Sequence, residues 1–146
     1  MTGSIVLLLN GPNLNLLGDR EPEVYGTGTL EEHVGAARAV AEAHDLVLEH
    51  LQSNHEGVLV DAVQGARGRC AAIVVNAGAL THYARALQDA LATFDGPVVE
   101  LHLSNPAARA EWRHTSVIAP AATAVIAGLG GHGYPMAIAA VARLLA

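Results

Sequence analysis

Short apolar runs recur along the chain, each stops at a polar turn, and most lead into a stretch with helical spacing. Residues 4–9 read as a strand by their continuous apolar character, and 46–52, 71–75, 98–103 and 125–127 read as the strands that repeat the pattern. Residues 30–44, 56–66, 81–93 and 134–145 read as helices, and 106–113 as a short helix opened by Pro106. Thr29 followed by Glu32 is a capping-box signature for the first of them. Residues 115–124 remain ambiguous. Strands that alternate with helices over short connections cross over with a right hand, so the sheet is parallel and covered by helices on both faces.

The expectation is one α/β domain over residues 1–146, a flavodoxin-like three-layer sandwich around a five-stranded parallel sheet. Composition agrees: 51% of residues are hydrophobic and only 3% aromatic, so Val, Leu, Ile and Ala must fill the core. The apolar runs are too short to span a bilayer and no basic segment leads into one near the N-terminus, which implies a soluble, cytoplasmic protein without a membrane partner. A single cysteine, Cys70, excludes an intrachain disulfide and a thiolate metal cage, and reads as a small core residue. The net charge of −6 and the scattered arginines argue against nucleic acid as a partner and favour a small ligand. No lysine occurs, so imine chemistry through a side-chain amine is unavailable.

Ligands of open α/β sheets bind beyond the carboxyl ends of the strands. The sequence places Asn10 and Asn13, Asn54, Asn76, and then His102 and Ser104 at four such ends. Any one asparagine is an ordinary turn residue; their convergence is the signal. Glu100 and His102 stand two apart on the fourth strand, hence on one face, where a carboxylate orients an imidazole for acid/base work or forms a plain buried ion pair. His82 and Asp89 are seven apart on the predicted third helix, with His82 in its first turn. The backbone at Leu103 and Ser104 enters a helix and suits an anion. Residues 14–28 form a long, glycine-containing loop of the kind that serves as a lid. That loop carries Arg20 and Tyr25, a guanidinium that would favour a phenolate, unless both are solvated surface groups. Arg113 suits a carboxylate or a helix-end carbonyl.

Two patterns mislead. Residues 128–133 match GxGxxG, yet only thirteen residues follow Gly133, too few for a second strand and a ribose-binding acid, so tight packing explains these glycines better. His33, His44, His50, His55, His114 and His132 lack zinc spacing and read mostly as surface positions, which speaks against a metal site.

Read in series, the segments resemble the type II 3-dehydroquinate dehydratases over essentially the whole chain. The matching runs are LNGPNLNLLGDREPEVYGTGTL from Leu9, QSNHEG from Gln52, NAGALTH from Asn76 and ELHLSN from Glu100, with EWRHTS from Glu111 and GLGGHGY from Gly128 similar too. Ala107 and Trp112 depart mildly from the family pattern. The resemblance implies a cofactor-free hydro-lyase of the shikimate pathway, converting 3-dehydroquinate to 3-dehydroshikimate by anti elimination through an enolate. It further implies that Tyr25, favoured by Arg20, is the base, that Asn13 stabilises the enolate through a water, and that His102, held by Glu100, is the acid. Asn76, His82, Arg113 and the Leu103 and Ser104 backbone would hold the substrate. Asp89 would reach a neighbouring subunit's site in a homo-oligomer, a dodecamer of trimers. The rival expectation is a non-catalytic flavodoxin-like module that binds a small anion; the GPNLN turn lacks a hydroxyl-rich phosphate cradle, and Asn76 stands where a phospho-receiver needs Asp.

Overall fold

Strand residues alternate sides, so a strand buried on both faces must be apolar at every position. In the computed structural model, which describes residues 3–146, β1 (Ser4–Asn10) behaves this way from Ile5 to Leu9. Val6 and Leu8 face one core, and Leu7 and Leu9 face the other. Around β1 lie β2 (Leu46–Gln52), β3 (Ala72–Asn76), β4 (Val98–His102) and β5 (Ala124–Ala127), in the order β2-β1-β3-β4-β5 and all parallel. The flavodoxin-like arrangement expected from the sequence is the one found.

Helices α2 (Leu30–Ala43) and α5 (Gly133–Leu145) cover one face through Val34, Ala37, Ala41, Tyr134, Ile138 and Val141. The other face is covered by α3 (Glu56–Ala66) and α4 (Arg85–Ala92) through Leu59, Val63, Leu87 and Leu91. Thr29 caps α2 by accepting from the Glu32 N–H at 3.2 Å, one of the two bonds of the expected capping box. No helix among the described residues is long and apolar enough to cross a membrane.

The local departures from expectation sit at the carboxyl ends of the strands. Residues 78–82 form a 3-10 turn, not the start of a helix, and α4 begins only at Arg85 because Ala84 is non-helical (φ −80°, ψ 78°). The Val117 N–H, donating to the Thr81 carbonyl at 2.7 Å, holds that turn away from α4. His82 and Asp89 therefore do not share a continuous helix. Residues 106–113 form two 3-10 turns, Pro106–Ala108 and Glu111–Arg113, interrupted where Arg109 is extended. The ambiguous stretch contains the 3-10 turn Ala119–Ala121, and Ala124 joins β5. Loop 14–28 is partly ordered into a 3-10 turn (Leu14–Leu16) and the helical turn α1 (Pro22–Tyr25). Cys70 is half-buried at the margin of one core.

Candidate active site

Register brings the strand ends together: Asn10 of β1 lies opposite Gln52 of β2 and Asn76 of β3. Beyond them two loops interlock. Gly78 takes a left-handed φ of +60°, and a Cβ there would stand 3.0 Å from the Pro12 carbonyl oxygen, so the position requires glycine. Asn13 is also left-handed (φ 68°), a conformation asparagine tolerates, and its N–H donates to Asn54 Oδ1 at 3.1 Å. Asn54 thereby braces the Asn13 backbone without lining the cleft that Asn13 lines.

On β4 the two-residue spacing sets Glu100 and His102 side by side. The His102 Nε2–H donates to Glu100 Oε2, and the same oxygen accepts from Thr81 Oγ1 at 3.0 Å and Ser116 Oγ at 2.8 Å. Glu100 is fully buried, and Oε1 has no partner among the described residues. Burial alone would raise its carboxyl, but the bonds and charge from His102, with Ser116 and Thr81, outweigh that and hold it below the ordinary range. An ionised carboxylate thus fixes His102 by Nε2 and leaves Nδ1 for a ligand.

Tyr25 is buried, contrary to the reading of it as a solvated loop residue. The Arg20 guanidinium lies over its ring at 4.6 Å from the centroid and that of Arg109 at 5.2 Å. Arg113 completes a group of three cations on an acidic chain, and burial, with the charge of Arg109, pulls its guanidinium below the ordinary value. His82 donates from Nδ1 to the Thr115 carbonyl at 2.7 Å and meets Trp112 edge-on at 5.1 Å between centroids. Burial draws its pKa down, against the bond to Thr115, so the ring is neutral at pH 7 and offers Nε2 as an acceptor.

One cleft collects Asn13, Arg20, Tyr25, Asn76, His82, His102, Leu103, Ser104 and Arg113, all of them expected. Glu100 lies behind His102. Asp89 is exposed on α4 and does not line the cleft. Sequence reasoning missed Arg109, which lines the cleft and donates to Ser104 Oγ at 3.2 Å. It also missed the support given to Glu100 by Thr81 and Ser116, and the buried Tyr134, whose hydroxyl lies among the strand-end asparagines.

The family profile described as dehydroquinase class II matches residues 4–142. The chain belongs to that family. A Corynebacterium glutamicum protein named 3-dehydroquinate dehydratase is 54% identical over 139 residues, covering 95% of this chain and 96% of the relative. A Penicillium rubens protein named catabolic 3-dehydroquinase is 51% identical over 136 residues, covering 93% and 88%. The crystal structure of type II dehydroquinase from Butyrivibrio crossotus superposes with a TM-score of 0.92 at 40% identity, covering 95% of this chain and 97% of that one.

The glycine-rich run after β5 packs closely against neighbouring side chains. His33 of α2 lies against Gly28 and Gly131 and stacks on Tyr134, with ring centroids 5.6 Å apart and planes 9° from parallel. His33 and His50 are half-buried, unlike the surface positions expected of them, whereas His44, His55, His114 and His132 are exposed. Among the described residues no three His, Cys, Asp or Glu side chains converge as a metal-binding group.

Proposed function

We propose that residues 1–146 act as one catalytic domain that dehydrates 3-dehydroquinate to 3-dehydroshikimate in the shikimate pathway. The observation that carries this reading is a single cleft in which Tyr25, beneath two guanidiniums, shares the lining with an imidazole pinned by a buried carboxylate. Tyr25 takes the proton from the carbon beside the substrate ketone; the C–H pair becomes a C=C bond and the carbonyl π pair moves onto the ketone oxygen, giving an enolate. Asn13, through an ordered water, and the cations around it stabilise the developing charge. Collapse of the enolate breaks the C–O bond on the opposite face, and His102, entering the step as an imidazolium with its Nε2–H on Glu100, gives its Nδ1 proton to the departing hydroxyl, which leaves as water.

The substrate carboxylate and ring hydroxyls fall to Arg113, Asn76, His82 and the Leu103 and Ser104 backbone. A neutral His82 accepts a hydroxyl proton at Nε2, and Arg113 supplies planar donors for a carboxylate. The elimination calls on no metal or cofactor. The loop bearing Arg20 and Tyr25 closes over substrate as a lid.

The working form is a homo-oligomer, a dodecamer of trimers in the cytoplasm, in which Asp89 serves a neighbouring cleft. Its supports are the outward position of Asp89 on α4 and the exposure of Tyr83, 62% accessible just before that helix, and of Trp112 at 56%. A monomeric mass by light scattering would overturn this assembly. The catalytic assignment is tested by Tyr25→Phe and His102→Ala, each expected to lower kcat by about 10²-fold or more with the fold intact. Near-wild-type turnover by either variant would remove that residue from its role.

A further inference from the structure

The atoms of the strand-end asparagines can be assigned from one unambiguous group, the backbone N–H of Gly78. It can only donate, and it stands 3.2 Å from the Asn76 side chain, so the atom facing it is Oδ1. Asn76 Nδ2 therefore faces Tyr134 Oη at 3.0 Å, and that oxygen must accept. A neutral phenol has one hydrogen, and burial, opposed by the Asn76 bond, pushes the Tyr134 hydroxyl above its ordinary range, so it stays neutral. Its hydrogen goes to Asn10 Oδ1 at 2.6 Å. Asn10 Nδ2 is then left to donate to His50 Nε2 at 3.0 Å, which requires a neutral ring protonated on Nδ1. Burial, with the charge of Arg38, draws His50 downward and agrees with that neutral form.

Every bond in this chain points the same way, from Asn76 through Tyr134 and Asn10 to His50. Reversing the link between Asn76 and Tyr134 would set the Asn76 amide nitrogen against the Gly78 N–H, donor against donor, and turning Asn10 alone would leave the Tyr134 hydroxyl hydrogen facing an amide nitrogen with no acceptor. Asn10, Asn76 and Tyr134 are all buried, so water does not offer an easy substitute partner.

We propose that Tyr134 is a positioning residue, fixing the Asn76 amide so that its remaining N–H serves the cleft as a donor to a substrate oxygen. Tyr134 does not line the cleft; Asn76 does. With Oδ1 occupied by Gly78 and one Nδ2 hydrogen by Tyr134, the free hydrogen makes Asn76 selective for an acceptor, a hydroxyl or carboxylate oxygen. The inference rests on the reading of this cleft as the 3-dehydroquinate site.

Tyr134→Phe keeps the ring and its stack on His33 and removes only the hydroxyl. It should raise KM about fivefold, the effect of one neutral hydrogen bond, with kcat changed less than about twofold. In an Asn76→Ala background the same substitution should change KM by less than about 1.5-fold, because Tyr134 acts through Asn76. A merely structural tyrosine would lower stability in both backgrounds without that coupling. An unchanged KM in folded Tyr134→Phe, or an undiminished effect beside Asn76→Ala, would overturn the proposal. Neutron diffraction from the wild-type protein reads the polarity even if Tyr134→Phe fails to fold: the Tyr134 hydrogen should point at Asn10 Oδ1, and one pointing at Asn76 overturns it. A wild-type protein without turnover would overturn the function instead, a result the neutron map keeps separate.

Discussion

Replacing Gly131 by alanine places a methyl group against the imidazole of His33. The new Cβ would stand 2.6 Å from Nε2 and closer still to the rest of the ring edge. The ring is hemmed in on three sides. A Cβ built on Gly28 would also be 2.6 Å from its Cε1, which shows how closely that backbone approaches, and Tyr134 stacks on its face. Gly131 is not among the positive-φ glycines, so the cost is steric. Overpacking of this kind costs about 3 kcal/mol at the upper end of its usual range. For a chain of this size that lowers Tm by roughly 9 °C. Gly130 is the internal control: it is left-handed at φ +59° but meets nothing within 4 Å, so Gly130→Ala should cost only about 1 kcal/mol of backbone strain. Thermal melts of both variants, repeated with His33→Ala, complete the comparison. Removing the ring should make Gly131→Ala nearly neutral. Equal losses in the two backgrounds would refute the packing account and reopen the question of what this glycine run is for.

Other outcomes follow from the site. His33 is drawn below its ordinary pKa by burial against the pull of Glu32, and His50 by burial and Arg38. Their neutral forms are the native ones, so stability should be full above about pH 6.5 and fall as pH drops through that value toward their lower folded pKa values. A urea midpoint flat from pH 7.5 to 5 would contradict this. Glu100, lowered in the fold, should contribute stability above the ordinary carboxylate value and lose it as pH falls through its folded one; Glu100→Gln should flatten that acid limb and lower kcat. Arg109→Ala should raise KM about tenfold by removing a cation from the cleft, and unchanged steady-state kinetics would remove Arg109 from the site.

Much of the site was legible because the carboxyl ends of parallel strands must gather their terminal residues. Asn13, Asn76 and His102 are consequences of strand order, and Glu100 beside His102 is a consequence of strand period. The break between Thr81 and Arg85 was not legible, because its cause is a bond from Val117, remote in sequence. Arg109 sits in an alanine-rich stretch with no spacing to distinguish it, and only the extended backbone between two 3-10 turns directs it to Tyr25. Tyr134 reads as the first turn of a closing helix; its partner Asn10 lies 124 positions away. His33 has the periodicity of a helix surface and is half-buried because glycines elsewhere leave room for it. Asp89 lies on its predicted helix but outside the cleft of its own chain.

The most direct test is to mix purified, chelator-treated protein with 3-dehydroquinate, with and without borohydride, and follow ultraviolet absorbance. Dehydration at this cleft gives prompt growth of the conjugated enone that survives both reagents. No growth at micromolar protein would contradict it and leave a cleft that binds a small anion without turning it over.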